Sequence, residues 1–394
     1  MNFDMILSRE GLSTSKWEFE FDRKQDKTLL PFGTADMDFK SPQPVIDALT
    51  AAAQRGHYGY PYKPESYYES IINYHDRKFG WKIEKEWIQS GVGIYSSMGG
   101  LVQELTDEGD EVVYMTPVHH IFAELITANR RVAVPVELTP AHPTYNIDFD
   151  KLRDSITPRT KLLFLCNPHN PMGRIWSRDE LATLQDICII NGIIIISDEV
   201  YAGLLYKNES FTPLASISRE SSLNTITVTS ASKPFNLTGL KHSLVISENM
   251  EFQKKYLDAQ RRTNMYYGGS TFGQIATEVA FSPACDEWSQ AVVAYVEENL
   301  LYTQSFFSKY FPDVLLYKPQ ATYFLWVDFS SFNMTNDELI SFFEDQAHII
   351  VSNGLYLGKQ CGNFIRLNLG CPREQLARGL ERIMAAKYNC GISN

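Results

Sequence analysis

No apolar run in this 394-residue chain is long enough to cross a bilayer as a helix. The longest, "ICIINGIIIIS" at 187–197, is broken by Asn191 and Gly192, whereas a span needs about 20 consecutive apolar residues. A basic excess is missing too. Lys and Arg total 36 against 47 Asp and Glu, a net charge of -11, which argues against the clustered cationic face of a nucleic-acid binder. Cysteine is sparse: Cys166, Cys188, Cys285, Cys361, Cys371 and Cys390 stand apart, with no CxxC pair and no Cys/His ligand spacing. That pattern reads as reduced thiols in a cytoplasmic protein without a metal site. The N-terminus, "MNFDMILSREGLSTSKWEF", lacks the basic segment, apolar stretch and small-residue cleavage site of a signal peptide. Neither an internal repeat nor a low-complexity linker is present. Hydrophobic residues at 44% and charged ones at 21% fit a globular chain rather than a disordered one.

What is present is alternation. A chain of this length is expected to form two domains. From about residue 90 to 246, short apolar runs ("EVVYM", "RVAVPVE", "KLLFLC", "GIIIIS", "NTITVT" and "SLVI") alternate with helical patterns. Continuous Val- and Ile-rich runs predict strands buried on both faces, in a parallel or mixed sheet covered by helices. Between two of them, "SRDELATLQDICIIN" pairs Ser177 with Glu180 as a capping box and repeats Leu181, Leu184, Ile187 and Cys188 at helical spacing. The architecture is α/β. Residues 1–47 read as irregular. From 285 onward a long helical pattern precedes a strand, "ATYFLWVDF", and a closing helix that Pro372 begins. The expected division is an N-terminal segment 1–47 joining the small domain, a large domain 48–284 and a small α+β domain 285–394.

In open α/β sheets ligands sit beyond the carboxyl ends of strands, so the residues just after each run matter most. "NPHNPMGR" follows "KLLFLC" as a rigid turn that aims Asn170; Asp198 and Tyr201 follow "GIIIIS"; Ser230, Ser232 and Lys233 follow "NTITVT". Lys241 precedes "SLVI", and the small residues of "GVGIYSSMGG" lead into a helix whose N-terminus suits a phosphate. His119 and His120 are adjacent, and adjacent side chains on a strand or helix point apart, so they are not read as a metal pair. Singly these features are ordinary. In order they supply what an electron-sink cofactor requires: an amine to hold it covalently, an acid to keep its ring nitrogen protonated, and a phosphate anchor.

On these residues the chain resembles the fold type I pyridoxal 5'-phosphate enzymes of the aspartate aminotransferase superfamily, from about residue 9 to the final helix. The blocks "STSKWEF", "ADMDFKSP", "HYGYP", "TPVHHIF", "SDEVYAGL", "SASKPFNLTGLK" and "FIRLNLGCPR" narrow the resemblance to the cystathionine β-lyase group of MalY and PatB type. The resemblance implies a large α/β domain with a mixed, mostly parallel sheet, and pyridoxal 5'-phosphate as cofactor. It implies that Lys233 binds the cofactor aldehyde and later moves the α-proton, and that Asp198 pairs with the ring nitrogen. Tyr201 and Asn170 would bond the ring's phenolic oxygen. Ser230, Ser232, Lys241, Ser96 and Ser97 would anchor the phosphate, and His119 would stack on the ring where relatives present tyrosine. Arg366 would hold the substrate carboxylate, a role suited to its bidentate geometry. Tyr60 would reach the phosphate from a partner subunit, so a homodimer with shared active sites is implied.

The expected activity is cleavage of L-cystathionine or a related cysteine S-conjugate, a small amino-acid substrate, to thiol, pyruvate and ammonia. An aminotransferase uses the same lysine, aspartate and arginine, and the N-terminal and "HYGYP" blocks weigh towards the lyase. A cofactor-holding regulatory protein is the third reading. No nucleic-acid or membrane partner is expected.

Overall fold

Each of the six Val- and Ile-rich runs forms a strand, and they share one seven-stranded sheet with Ile88–Gly91. In space the order is Ile88–Gly91, Ser243–Ile246, Thr225–Thr229, Ile194–Asp198, Thr160–Cys166, Glu111–Thr116 and Val132–Glu137. The last five of these run parallel, and Ser243–Ile246 is antiparallel to both of its neighbours. The structure is a computed structural model that describes residues 1–8 and 11–392, so Arg9, near which the sequence match begins, lies outside the described residues. Central strands such as Glu111–Thr116 and Thr225–Thr229 are buried at every position, as two-sided coverage by helices requires. Val132–Glu137 lies at the sheet margin, is mostly exposed or half-buried, and carries Pro135, a residue that sheets tolerate at edges.

Helix Arg178–Ile190 starts from the reciprocal Ser177–Glu180 capping box. A second, four-stranded antiparallel sheet orders Leu315–Leu316, Phe324–Asp328, Phe364–Asn368 and Ser352–Asn353. It packs with helices Asp286–Tyr310 and Arg373–Asn389, and Pro372 caps the latter. Buried Asn299 ties these parts together, donating to the carbonyls of Leu369 at 2.9 Å and Cys371 at 2.8 Å.

The N-terminal segment is more regular than its sequence suggests. "EFEFDRK" alternates like a strand but forms helix Glu18–Lys24, with acids in its first turn and bases in its last, an order that complements the helix dipole. Arg23 and Lys24 then pair with Glu344 and Asp345. Leu30–Pro31 runs parallel to Ile349–Ile350, and helix Gln43–Gln54 begins inside the stretch expected to be irregular.

These strand directions put chemistry on one edge. The carboxyl ends at Thr116, Cys166, Asp198 and Thr229 and the start of the antiparallel strand at Ser243 lie together, because Leu244 pairs with Thr229 and Ser243 with Gly91.

Gly173 closes the Asn170 turn with φ +68°, and a Cβ there would stand 2.4 Å from the Ala321 carbonyl oxygen. Gly192 has φ +67° with nothing within 4 Å. Both pay the left-handed penalty when they become alanine, but only Gly173→Ala adds a clash. We expect Gly173→Ala to cost on the order of 2 kcal/mol more than Gly192→Ala, measured by denaturant unfolding.

Candidate active site

The three strand-end residues arrive at the edge by different local devices. Asn170 sits in a turn closed by the His169 amide donating to the Arg174 carbonyl at 2.7 Å, while Asn167 accepts from the Trp176 amide at 3.2 Å. Asp198 ends its strand, buried, and accepts from the Val200 amide at 3.2 Å. Among the described residues no cation comes within ion-pairing distance of it. Burial therefore pushes its carboxyl up to about 7, against the opposing effects of the Val200 N–H and of Lys233. Ser230 donates to the His242 carbonyl and accepts from the Ser232 amide at 3.0 Å, so its hydroxyl is spent inside the turn that carries Lys233. Lys233 donates to the Ala35 carbonyl at 2.6 Å. Burial lowers its amine to about 8; Asp36 and Asp198 oppose that fall, and Arg366 and Lys241 reinforce it.

Residues 33–38, which the sequence offered only as part of a motif, cross the site as a strap. Their carbonyls accept from the residues that matter. Ala35 accepts from Lys233 and from the Tyr323 hydroxyl at 2.9 Å, and Gly33 accepts from Arg366 at 2.9 Å. Thr34 and Asp36 both accept from Asn368 at 2.7 Å. Arg366, on the second sheet, also donates to Asn170 Oδ1 at 2.9 Å and Ser352 Oγ at 2.8 Å, and its guanidinium lies 3.9 Å from the Phe324 ring centroid. It is buried, its Nε has no partner among the described residues, and burial lowers its basicity.

Around these groups lies an inner chamber lined by Gly93, Tyr95, Asp198, Tyr201, Lys233 and Lys241, among others. It adjoins an outer cleft of about 820 Å³ that takes in Asp36, His120, Ser352 and Arg366. His119 lines both. Its ring stacks on Tyr95 (centroids 5.6 Å apart) and on His120 (4.5 Å). The adjacent histidines thus lie side by side rather than apart, because they occupy the approach to helix Ile121–Ala128 and not a regular strand. Burial, then Arg366, His120 and Lys233, hold His119 well below the usual imidazole range, so it is neutral at pH 7. Tyr201 is buried beside Tyr323 and Phe324, with its hydroxyl pushed up by burial.

The serines of "GVGIYSSMGG" do not line the chamber. Ser96 donates back to the Val92 carbonyl at 2.6 Å, and Ser97 bonds Ser243 and Tyr256 at 2.9 and 2.8 Å. Instead Gly93, at φ +90°, Ile94 and Tyr95 open the start of helix Ile94–Leu105 onto the chamber, opposite Thr238, Lys241 and Ser232. The glycine immediately before the helical pattern was the available signal; the hydroxyls behind it misled. Tyr60 is 87% exposed, stacked on Tyr267 at 5.1 Å, and is not among the chamber's lining residues.

The donor set fits one kind of group: a planar heterocycle with a protonatable nitrogen for Asp198, a carbonyl for Lys233, and a phosphate for a helix N-terminus beside Lys241. Among the described residues no cluster of three or more His, Cys, Asp or Glu could hold a metal ion.

The family model for aminotransferase class I and II matches residues 27–383. The chain belongs to that family. Its fold is the aminotransferase-like type I fold, α/β with a mixed, mostly parallel sheet. Over 98% of its length it is 32% identical to all of cystathionine beta-lyase PatB of Bacillus subtilis. It is 28% identical to protein MalY of Escherichia coli, over 98% of each chain. The crystal structure of the PLP-bound C-S lyase from Staphylococcus hominis superposes with a TM-score of 0.91 at 29% identity, covering 98% of both chains.

In this family member the raised carboxyl of Asp198 has a consequence for stability. A folded-state value near 7, above the ordinary value of about 3.9, means that the folded chain binds the extra proton. Stability is then lost as pH rises between those values. Without added ligand, Asp198→Asn should match the wild type near pH 4 and exceed it near pH 8, by on the order of 2–4 kcal/mol. Chemical denaturation at the two pH values checks this.

Proposed function

We propose that this protein is a pyridoxal 5'-phosphate-dependent carbon–sulfur β-lyase that splits L-cystathionine or a related cysteine S-conjugate into a thiol, pyruvate and ammonia. The observation that carries the reading is a buried carboxylate that no described cation pairs with, Asp198, in one chamber with the half-buried Lys233. The chain that holds them aligns end to end with a cystathionine beta-lyase.

Bound pyridoxal 5'-phosphate supplies an electron sink, a protonated ring that accepts the charge left on the α-carbon when its proton leaves. Asp198 holds the ring-nitrogen proton; its desolvated carboxylate gains a partner there and ionises more readily. Asn170 and Tyr201 would hold the group by its phenolic oxygen, and neutral His119 would lie against its ring. The amides at the start of helix Ile94–Leu105, with Lys241 and Ser232, would receive the phosphate, whereas the Ser230 hydroxyl stays engaged within its own turn. Lys241 acts as a point charge rather than a guanidinium fork. Arg366 binds the substrate's α-carboxylate and thereby aims its α-hydrogen at Lys233. Lys233 Nζ, poised near neutrality, takes that proton; the electrons of the broken α-C–H bond become the second bond between the α- and β-carbons as the β-carbon–sulfur bond breaks and its own pair leaves with the sulfur.

The exposed aromatics Tyr58, Tyr60, Tyr62, Tyr266 and Tyr267 support a homodimer in which Tyr60 reaches the partner's phosphate. The same reading divides the chain at residues 47 and 284 and places it in the cytoplasm. Among the described residues no helix is long and apolar enough to cross a membrane.

Incubated with L-cystathionine and no oxo acid, the protein should release pyruvate, ammonia and thiol in equal amounts. Lys233→Ala should release almost no pyruvate, and borohydride should fix the cofactor to Lys233 in the wild type. A requirement for 2-oxoglutarate with formation of glutamate would assign an aminotransferase instead. Arg366→Lys should raise KM strongly, since an ammonium cannot copy two parallel bonds to a carboxylate. The loss expected is roughly 1.5–3 kcal/mol; an unchanged KM would move the carboxylate site elsewhere.

A further inference from the structure

The block "STSKWEF" takes no part in the chemistry above, yet it buries a charge. Lys16 is 1% exposed, and its ammonium lies 3.3 Å from the Asp36 carboxylate and 3.0 Å from that of Asp38. It also donates to the Asp36 carbonyl at 3.1 Å. Desolvating such a triad often stabilises no more than apolar packing would, so stability alone does not account for it. Asp38 is engaged on other sides by Trp17 Nε1 at 3.0 Å and Gln375 Nε2 at 2.9 Å. Asp36 differs. Its side chain is 27% exposed, and it lines the outer cleft together with Lys233, Lys241, His119 and Arg366.

We propose that Lys16 is a positioning residue for the reaction: it clamps Asp36 so that this carboxylate faces Lys233 across the cleft, and it fixes the strap whose carbonyls hold Lys233 and Arg366. The inference takes its substrate from the lyase reading, but its electrostatics stand apart from that reading. Of the charges around Lys233, Asp36 is the foremost in opposing the loss of basicity that burial imposes, and Asp198 acts in the same sense. Arg366 and Lys241 act against them, and His119 stands close by as a neutral ring. Lys16 therefore fixes where the Asp36 carboxylate stands, holding it from the side of Asp38 while its exposed part faces the cleft.

Asp36→Asn keeps the shape and the strap carbonyls and removes only the charge. The amine should then release its proton at lower pH. The first readout is the rate at which cofactor-free protein combines with added pyridoxal 5'-phosphate as a function of pH, followed by absorbance. Its midpoint should fall by about one pH unit in Asp36→Asn. Lys16→Met should shift it in the same direction, because the Asp36 carboxylate loses the contact that holds it facing Lys233. The second readout is the acid limb of kcat/KM for pyruvate release from L-cystathionine, which should move the same way in both variants. A folded Asp36→Asn protein with the wild-type midpoint overturns the electrostatic role of Asp36. A folded Lys16→Met protein with the wild-type midpoint overturns the clamp, and if Lys16→Met does not fold, Asp36→Asn decides alone. If the wild type releases no pyruvate, the lyase reading fails while the first readout still judges this inference.

Discussion

A strap of backbone carbonyls at residues 33–36 is the constraint on which the site rests. Lys233 and Arg366 are both cations withdrawn from water, and neither is within ion-pairing distance of a described carboxylate. Each is held instead by an uncharged carbonyl, of Ala35 or Gly33. A carbonyl satisfies a donor without neutralising it, so the two charges stay available to a ligand. An ion pair in either place would have lowered the cost of burial and spent the reactivity. The strap is itself secured at its C-terminal end by two anchors, the Lys16 triad through Asp36 and Asp38 and, from the Lys233 turn, Asn236, which bonds Met37 and Phe39.

The same turn shows how local chemistry and distant packing agree. The Ser230 hydroxyl closes it by accepting from the Ser232 amide and donating to the His242 carbonyl, and Pro234 fits beside Gly203, where an added Cβ would stand 2.8 Å from the proline ring. Lys241, which lines the same chamber, adopts φ +50°, a conformation uncommon for a long side chain. We read that backbone as what brings its ammonium to the chamber beside the helix N-terminus.

The parts legible in the sequence are those whose signal is the side chain itself. Six Val- and Ile-rich runs became six strands, since burial on both faces selects for those residues directly. Asn170, Asp198 and Lys233 stood out in the sequence because each lies at or just past the end of such a run, at the sheet edge where ligands gather in folds of this kind. The strap was not legible as a device, because what residues 33–36 contribute is mainly carbonyl oxygen, which every residue type carries. Ser96 and Ser97 drew attention by their hydroxyls, yet a helix turns those back onto its own carbonyls, and the amides that face the chamber belong to residues without a polar signature. "EFEFDRK" hid a helix behind a two-residue alternation. Its fold is decided by end charges and by Glu344 and Asp345, more than 300 positions away.

Arg366 draws these threads together. It projects from the second sheet, bonds Asn170 from the first, and rests on the strap between them, so both sheets and the strap must be in register for its fork to be aimed. Its positive charge also lowers the basicity of Lys233. In the proposed reaction a substrate carboxylate docking on Arg366 cancels part of that field. The amine of Lys233 then becomes more basic at the moment an α-proton is placed before it. On that proposal, charge alone would let the group that binds the substrate carboxylate prepare the group that takes the α-proton.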